Sequence, residues 1–151
     1  MLDDTDRRIL RQWQAEPSLS PSELADRAGV SAAQLGRRVA RLQDLGVIAA
    51  VETDIDWAAL GYTVEVSLRI TLDKTVPRAF DEFIAEARKI PEVLEIQTFL
   101  GRVDARLSVV ARDMADYQQV YRNRILTLPH IADIEALMHV ARIKSQETLP
   151  L

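Results

Sequence analysis

The sequence predicts an α+β protein that combines an N-terminal winged helix-turn-helix domain with a C-terminal ferredoxin-like βαββαβ domain. Two observations support this fold class. Residues 20–45 contain two helix start signals separated by a glycine, and residues 62–151 alternate between strand-like and helix-like spacing of apolar side chains. We therefore expect a DNA-binding domain at residues 1–52, with the helix-turn-helix at about 20–45, followed by a linker at residues 53–61.

Two capping boxes define the helix-turn-helix. Ser20 begins a Ser-x-x-Glu sequence with proline at the first helical position, and Ser31 begins a Ser-x-x-Gln sequence. Gly29 lies between them, where a tight turn needs a positive φ that glycine adopts readily. The pattern predicts two short helices, of which the second ends at Gly46.

Further elements flank this helix pair. An opening helix, capped by Asp3 or Asp4, is predicted to run to about Ala15. After Gly46, residues 47–56 have the pattern of a strand and a turn, and we expect them to form a wing or tether.

The second helix of the pair separates its side chains by chemistry. Leu35, Val39 and Leu42 fall on one side, and arginines and a glutamine fall roughly a third of a turn away. Arginine binds phosphate or guanine through paired hydrogen bonds, and glutamine binds adenine in the same way. Small residues at the N-terminal end permit close approach to the groove. The predicted DNA-contacting residues are Ser31, Ala33, Gln34, Arg37, Arg38 and Arg41.

An arginine row on a helix is by itself typical of a solvated surface. The two capping boxes in front of this row favour binding of double-stranded DNA instead. The chain carries a net charge of −4, and seven arginines against ten carboxylates leave residues 1–56 at −3. We therefore expect weak non-specific DNA affinity and a dependence on oligomers, which join several DNA-binding modules.

Residues 62–72 alternate apolar and polar side chains with strict period two, which predicts a strand with one buried face. The elements that follow are a helix opened by Pro77, strands at residues 93–100 and 105–111, a helix capped by Asp113, and a last strand that ends at about Ile143. This βαββαβ order places both helices on one face of the sheet. We expect homodimers to form through the other face.

Composition and motif content exclude several classes of function. The chain has no cysteine, which excludes disulfides, thiolate catalysis and cysteine-based zinc sites. It has no HExxH or Walker motif and no apolar run of membrane-spanning length. We expect no catalytic residue, no metal, no cofactor and no membrane partner, and a cytoplasmic, nucleoid-associated protein.

Five segments, taken together, resemble the leucine-responsive/asparagine-regulator (Lrp/AsnC, "feast/famine") family of transcription regulators. The segments are LDDTDRRIL, LSPSELADRAGVS, RRVARLQDLGVI, PEVLEIQTFLGRVDARLSVV and ETLPL. The resemblance covers the whole chain and implies a DNA-binding regulator of amino-acid metabolism. It further implies that a RAM/ACT-like domain, here residues 62–151, forms dimers and octamers and binds a free amino acid in a cleft between dimers.

The resemblance also implies that the turn between the second and third strands lines the effector cleft. Its residues here are Leu100, Gly101, Arg102, Val103 and Asp104. Asp104 would receive an α-ammonium group and exposed backbone N–H groups a carboxylate, while a plain hairpin accounts equally for glycine and aspartate at a turn.

Three positions depart from the family pattern. The family turn is commonly Gly-Asp-x-Asp with an aromatic third residue, so Arg102 and Val103 change the local charge and leave the effector open. Gly36 stands in the predicted recognition helix, where a larger residue is common.

Two alternatives differ from a ligand-responsive regulator. Haem-biosynthesis decarboxylases that act on sirohaem are similar in architecture, but this chain has only His130 and His139, and Gly101 stands where such chemistry would need an imidazole. We therefore expect no enzymatic activity. An architectural DNA-binding protein without an effector would share the same helices and stays open.

Overall fold

A computed structural model describes residues 1–145 and 148–151 of the chain. It separates into two compact units, one formed by Met1–Asp54 with Lys144–Leu151 and the other by Ile55–Ile143. The division falls within the expected linker, but the end of the chain groups with the N-terminal unit, whereas we expected it in the C-terminal domain. Gln146 and Glu147, which belong to that expected domain, lie outside the described residues.

Two hydrogen bonds account for the grouping of the chain end with the N-terminal unit. Arg11 Nε donates to the carbonyl oxygen of Leu151 at 2.6 Å. The backbone N–H of Leu149 donates to Gln14 Oε1 at 2.9 Å. The sequence pattern of the tail contained no sign of either bond, because each joins residues more than 130 positions apart.

The N-terminal unit contains three helices, α1 (Asp4–Ala15), α2 (Pro21–Ala28) and α3 (Ala32–Asp44). Each begins at a capping box in which a side chain and a backbone N–H are satisfied reciprocally. The pairs are Asp3 with Asp6, Ser20 with Glu23, and Ser31 with Gln34. The predicted helix-turn-helix is therefore confirmed down to its start signals.

A small apolar core holds the three helices together. Its buried members are Ile9, Leu24, Ala25, Ala28 and Leu35. Gly29 has a φ of +68° and ends α2 in the left-handed conformation, which turns the chain toward α3. This arrangement fixes α3 by its apolar side and leaves its other side in solvent.

The strand expected in residues 47–56 does not form, and this segment has no regular secondary structure. Most of its apolar side chains stay exposed, with Val51 at 69% and Ile55 at 52% of full exposure, while Ile48 is partly buried. A strand needs a neighbour for its backbone hydrogen bonds, and none of the four strands in the described residues pairs with this segment. The expectation of a strand here is wrong, whereas the alternative that this segment is a tether stays a prediction.

The C-terminal unit begins with a short 3-10 helix at Ala58–Leu60 and then forms the βαββαβ order. The elements are β1 (Val64–Leu72), α4 (Ala79–Ala87), β2 (Val93–Thr98), β3 (Ala105–Ala111), α5 (Met114–Val120, extended by a π-helical turn at Tyr121–Ile125) and β4 (Ile131–Met138). The strands form one antiparallel sheet in the order β2-β3-β1-β4. The predicted ferredoxin-like topology is confirmed.

The last strand is shorter than predicted. Val66 pairs with Met138, and the N–H of His139 still donates to the carbonyl oxygen of Glu65. The same register places Val64, the first residue of β1, opposite Val140, so residues 141–143 have no strand beside them. The apolar pattern that runs on to Ile143 therefore lacks a partner and does not extend the sheet.

The period-two alternation of β1 divides the sheet into two faces. Val66, Leu68 and Ile70 are fully buried under the helices, where they pack with Phe83. The opposite face carries polar side chains and surface ion pairs, among them Arg106 Nη2 with Glu95 Oε2 at 2.9 Å. None of the helices in the described residues has the length and apolar character needed to span a membrane.

Candidate nucleic-acid interface and effector turn

Helix α3 is held by its apolar side and presents its polar side to solvent. Leu35 and Leu42 are buried at 4% and 0% exposure, which fixes the rotation of the helix. The predicted DNA-contacting side chains, apart from the small residues at the helix start, line one open pocket of about 380 Å³. The lining residues are Met1, Asp3, Gln34, Arg37, Arg38 and Arg41.

The start of α3 combines exposure with an occupied amide. Ser31, Ala33 and Gln34 are all exposed. Gln34 Oε1 accepts the backbone N–H of Ser31 at 3.0 Å, and Ser31 Oγ accepts the backbone N–H of Gln34 at 3.2 Å. Gln34 Oε1 is thus partly occupied as long as the capping box persists, whereas its NH₂ group takes no part in the cap and is available for a base edge.

The three arginines of α3 are not equivalent. Arg37 is exposed and has no ion pair among the residues that the structure describes. Arg38 and Arg41 instead reach α1, where both contact Asp6. The predicted row of DNA-contacting guanidinium groups is thus one arginine without an ion pair among the described residues and two that are paired with Asp6.

Asp6 is the centre of this ion-pair cluster and is fully buried. Its Oδ1 accepts from Arg38 Nη1 at 2.7 Å, its Oδ2 accepts from Arg41 Nη2, and Oδ2 also accepts the backbone N–H of Asp3 at 3.1 Å. Arg38 Nη1 additionally donates to Asp3 Oδ1 and Oδ2 at 2.9 and 2.8 Å. The side chains of Arg38 and Arg41 remain 30% and 43% exposed.

The electrostatics of the cluster follow from these contacts. Burial raises the pKa of Asp6, but the backbone N–H of Asp3 and the two guanidinium groups outweigh it and lower the pKa to about 2. The pKa of Asp3 is lowered chiefly by the backbone N–H of Asp6 and then by Arg38. Both carboxylates are ionised at neutral pH, so two negative charges balance the two arginines.

Sequence reasoning missed Asp6 as a functional neighbour of α3. The Asp-x-x-Asp spacing at the start of α1 was interpretable as a helix cap, and it is one. The ion pairs join residues 32 and 35 positions apart. A buried carboxylate needs cationic partners, so the apolar neighbours Ile9 and Leu10 were the signal that Asp6 would need arginines.

Helix α3 also contains a glycine that packing does not require. A Cβ added at Gly36 would meet no atom within 4 Å. Its φ is not positive, so the backbone conformation does not need glycine either. Within the described residues, nothing in the unit explains Gly36.

The predicted effector turn is exposed at its tip and tied down at its end. Leu100, Gly101 and Arg102 are exposed, and Val103 and Asp104 are half-buried. Arg102 has no ion pair within the described part of the chain. The five predicted residues therefore lie together, between the end of β2 and the start of β3.

Asp104 already has partners. Its Oδ2 accepts the backbone N–H of Leu72 at 2.7 Å, and its Oδ1 accepts from Lys74 Nζ. Burial raises its pKa, while the N–H of Leu72 and the ammonium group of Lys74 outweigh this and lower it. The carboxylate thus anchors the turn to the end of β1, and Lys74 occupies the position at which an α-ammonium group was expected.

The two histidines have acidic neighbours and no metal-like surroundings. His130 Nε2 contacts Glu82 Oε2, and His139 Nδ1 lies 3.4 Å from Glu65 Oε1. Within residues 1–145 and 148–151, no group of three or more potential metal-ligating side chains comes together.

Family comparisons match both units. The family described as "AsnC-type helix-turn-helix domain" matches residues 2–43, and the family described as "Lrp/AsnC ligand binding domain" matches residues 65–149. The proline dehydrogenase transcriptional activator of Rhodobacter capsulatus is 28% identical over 148 residues, which cover 98% of this chain and 96% of that protein. The HTH-type transcriptional regulator AldR of Mycolicibacterium smegmatis is 36% identical over 118 residues, 78% of this chain and 69% of that protein.

Solved structures agree with these matches. The crystal structure of the transcriptional regulator NMB0573 from Neisseria meningitidis, in complex with L-Met, superposes with a TM-score of 0.91 at 26% identity, covering 99% of this chain and 97% of that one. The structure of E. coli AsnC superposes with a TM-score of 0.88 at 25% identity and covers 98% of each chain.

Proposed function

Because the chain belongs to the Lrp/AsnC family of DNA-binding transcription regulators, we propose that it controls genes of amino-acid metabolism by sequence-specific binding, in response to an amino-acid effector. The observation that carries this proposal is the exposed polar side of α3 behind two capping boxes. Binding of chromosomal DNA would place the protein in the cytoplasm, associated with the nucleoid.

Recognition of DNA is assigned to α3. Arg37, which is exposed and has no ion pair among the described residues, would bind a guanine edge, and Gln34 contributes its NH₂ group. Arg38 and Arg41 use one terminal nitrogen each for Asp6, so their other N–H groups remain for phosphate oxygens. Ser31 and Ala33, which are small and exposed, allow the N-terminal end of the helix to enter the major groove.

Fluorescence anisotropy with a duplex from the upstream region of its own gene tests this assignment. We expect Arg37→Ala to weaken specific binding by about tenfold or more, since one bidentate base contact contributes about 1–3 kcal/mol. Arg88→Ala, which removes an exposed arginine from the C-terminal unit, is the control and should bind like wild type. Equal binding by both variants would contradict recognition through α3.

Homodimerisation is assigned to the sheet face that the helices leave uncovered. Leu137, which lies opposite Ser67 in the β1–β4 register, is an apolar residue there with 37% exposure. We expect Leu137→Asp to shift the protein toward monomers in light scattering. Leu126→Asp, at an exposed leucine after the π-helical turn, should leave the assembly unchanged. Assembly of dimers into octamers is the further expectation, and the same measurement gives its mass.

The effector is assigned to the turn at residues 100–104, completed by a second dimer. The L-Met complex of the neisserial regulator supports an amino-acid ligand for this fold. Gly101 and Arg102 are exposed, and their backbone N–H groups would bind the carboxylate. A thermal-shift screen with the twenty amino acids is the test, because a ligand that binds only the folded protein must raise its apparent stability.

An effector-independent DNA-binding protein is the second candidate. The observation that favours it is the contact of Lys74 with Asp104, which fills the expected ammonium position from within the chain. Under this alternative no amino acid changes the melting temperature, and the DNA footprint is the same with and without each of them. A shift with any single amino acid would contradict it.

A further inference from the structure

The contacts of Arg38 suggest that a carboxylate of this chain and a DNA phosphate compete for the same guanidinium. Membership of the family does not imply this competition. Among the described residues this guanidinium makes its hydrogen bonds through Nη1, which donates to both oxygens of Asp3 and to Asp6. Building on the proposed function, we propose that Asp3 is an internal competitor of DNA: it occupies Arg38 in the free protein and yields to a phosphate oxygen in the complex, while Asp6 stays bound and positions Arg38 and Arg41.

The two carboxylates differ in what it takes to displace them. Asp6 is fully buried, and its two oxygens hold two guanidinium groups and a backbone N–H. Asp3 is 54% exposed at its side chain, so water solvates its carboxylate when Arg38 leaves it. Exposed ion pairs are weak because water competes for both partners, whereas a buried carboxylate that loses its cations has no replacement. Exchange is therefore confined to Asp3.

Release of Arg38 need not undo the start of α1. Asp3 caps the helix through Oδ1, which accepts the backbone N–H of Asp6 at 2.8 Å. Arg38 donates to the same Oδ1 and to Oδ2, but the capping bond comes from a backbone N–H and does not require the guanidinium. The carboxylate can thus keep its capping role while the guanidinium turns its Nε and Nη2 edge toward a phosphate, which binds such an edge with two parallel hydrogen bonds.

The competition between Asp3 and phosphate should lower the affinity of the protein for non-specific DNA. Asp3 and Asp6 neutralise Arg38 and Arg41 at the DNA-facing pocket, and among the side chains that line it Arg37 is left as the unbalanced charge. Non-specific affinity for DNA depends on the number of phosphates that cations neutralise. Asp3 therefore lowers the affinity for any duplex until the fit of a cognate site brings a phosphate against Arg38.

The experiment compares Asp3→Asn with Asp4→Asn. Both remove one negative charge from the start of α1, and asparagine caps a helix as well as aspartate does. Asp4 is exposed and has no ion pair in the part of the chain that is described. Affinity is measured by anisotropy on the upstream duplex of its own gene, or on a duplex selected from a random-sequence pool, from 50 to 200 mM salt. We expect Asp3→Asn to bind about two- to fivefold more tightly than Asp4→Asn, the factor of one exposed ion pair.

A double-mutant cycle with Arg38→Gln separates local competition from a general charge effect. The gain from Asp3→Asn should vanish when Arg38 is absent. Equal affinity of the Asp3 and Asp4 variants, or a gain that persists in Arg38→Gln, would overturn the competition while wild type still binds DNA. Failure of wild type to bind any duplex would instead overturn the proposed function. Equal melting temperatures of the two asparagine variants confirm that folding does not cause the difference.

Discussion

The ion-pair cluster on α3 and the turn at residues 100–104 are both built around a carboxylate with a cationic partner. They differ in which cationic groups stay exposed around that carboxylate. In each region a shielded carboxylate, Asp6 or Asp104, accepts a backbone N–H and a cationic side chain. Asp6 is fully buried and holds two arginines that still expose part of their N–H groups, whereas Asp104 is 13% exposed and holds one lysine. An acidic residue whose position in the sequence predicts ligand binding or helix capping can therefore hold neighbouring groups in place. The ligand then binds to those neighbouring groups and not to the acid.

Removal of the carboxylate of Asp6 or Asp104 should have the largest effect on the free energy of unfolding. The two losses show which carboxylate contributes more stability. Asp6→Ala leaves two arginines without their buried partner and removes half of a capping box, so we expect a loss of about 3 kcal/mol in the free energy of unfolding. Asp104→Ala leaves the N–H of Leu72 without its acceptor and should cost about 2 kcal/mol. Urea denaturation measures both, with Asp4→Ala as a control that stays within about 0.5 kcal/mol. A larger loss for Asp104→Ala would reverse the comparison.

Acid should erase the advantage of Asp6 within a defined pH window. Its pKa in the folded protein is about 2, below the ordinary value of 3.8, so its stabilising contribution is complete above pH 3.8 and is lost as the pH falls through about 2. The difference in unfolding free energy between wild type and Asp6→Asn should be constant from pH 7 to 5 and shrink between pH 3.8 and 2. A difference that grows toward low pH would contradict an ionised Asp6.

Short-range sequence patterns predicted the helices and most strands well. The ends of the strands depend on pairing with residues far away in the sequence, which these patterns do not show. Capping boxes are short-range patterns, and two of them predicted the starts of α2 and α3, while the start of α1 was predicted to within one residue, at Asp3 or Asp4. The wing was overpredicted, because residues 47–56 have strand-like residues but no strand to pair with. The end of β4 was misplaced for the same reason, since β1 begins at Val64, in register with Val140, and leaves nothing beside residues 141–143.

The candidate sites were predictable as surfaces but not as charge networks. Helical periodicity identified the polar side of α3, and the resemblance to the family pointed to the turn. Neither could show that Asp6 binds Arg41 or that Lys74 binds Asp104, because these pairs are 35 and 30 positions apart. Periodicity describes neighbours three or four residues away, whereas the ligand-facing charge of both regions depends on partners brought together by the fold.

Gly36 should give a smaller effect, of opposite sign. It stands inside α3 with no atom within 4 Å of an added Cβ and without a positive φ. Gly36→Ala should therefore raise the unfolding free energy by about 1 kcal/mol, the difference in helix propensity. Gly46→Ala is the matched control, because Gly46 has a φ of +69° and alanine there should destabilise. If Gly36→Ala binds the upstream duplex less tightly than wild type while being more stable, the glycine serves the approach of DNA to α3.

The replacement of Lys74 should have the smallest effect on stability, but it tests directly how the turn at residues 100–104 binds an effector. Lys74 is 63% exposed at its side chain, so its pair with Asp104 should contribute less than about 1 kcal/mol. Lys74→Met nevertheless removes the internal cation from the carboxylate and leaves it open to the α-ammonium group of an amino acid. An effector found in the thermal-shift screen should then bind about two- to fivefold more tightly, while Lys89→Met, at another exposed lysine in a surface ion pair, should leave binding unchanged. An unchanged affinity would mean that Asp104 does not exchange its cation, so that the turn, unlike the α3 cluster, holds its anchor closed and binds an effector through its backbone or Arg102.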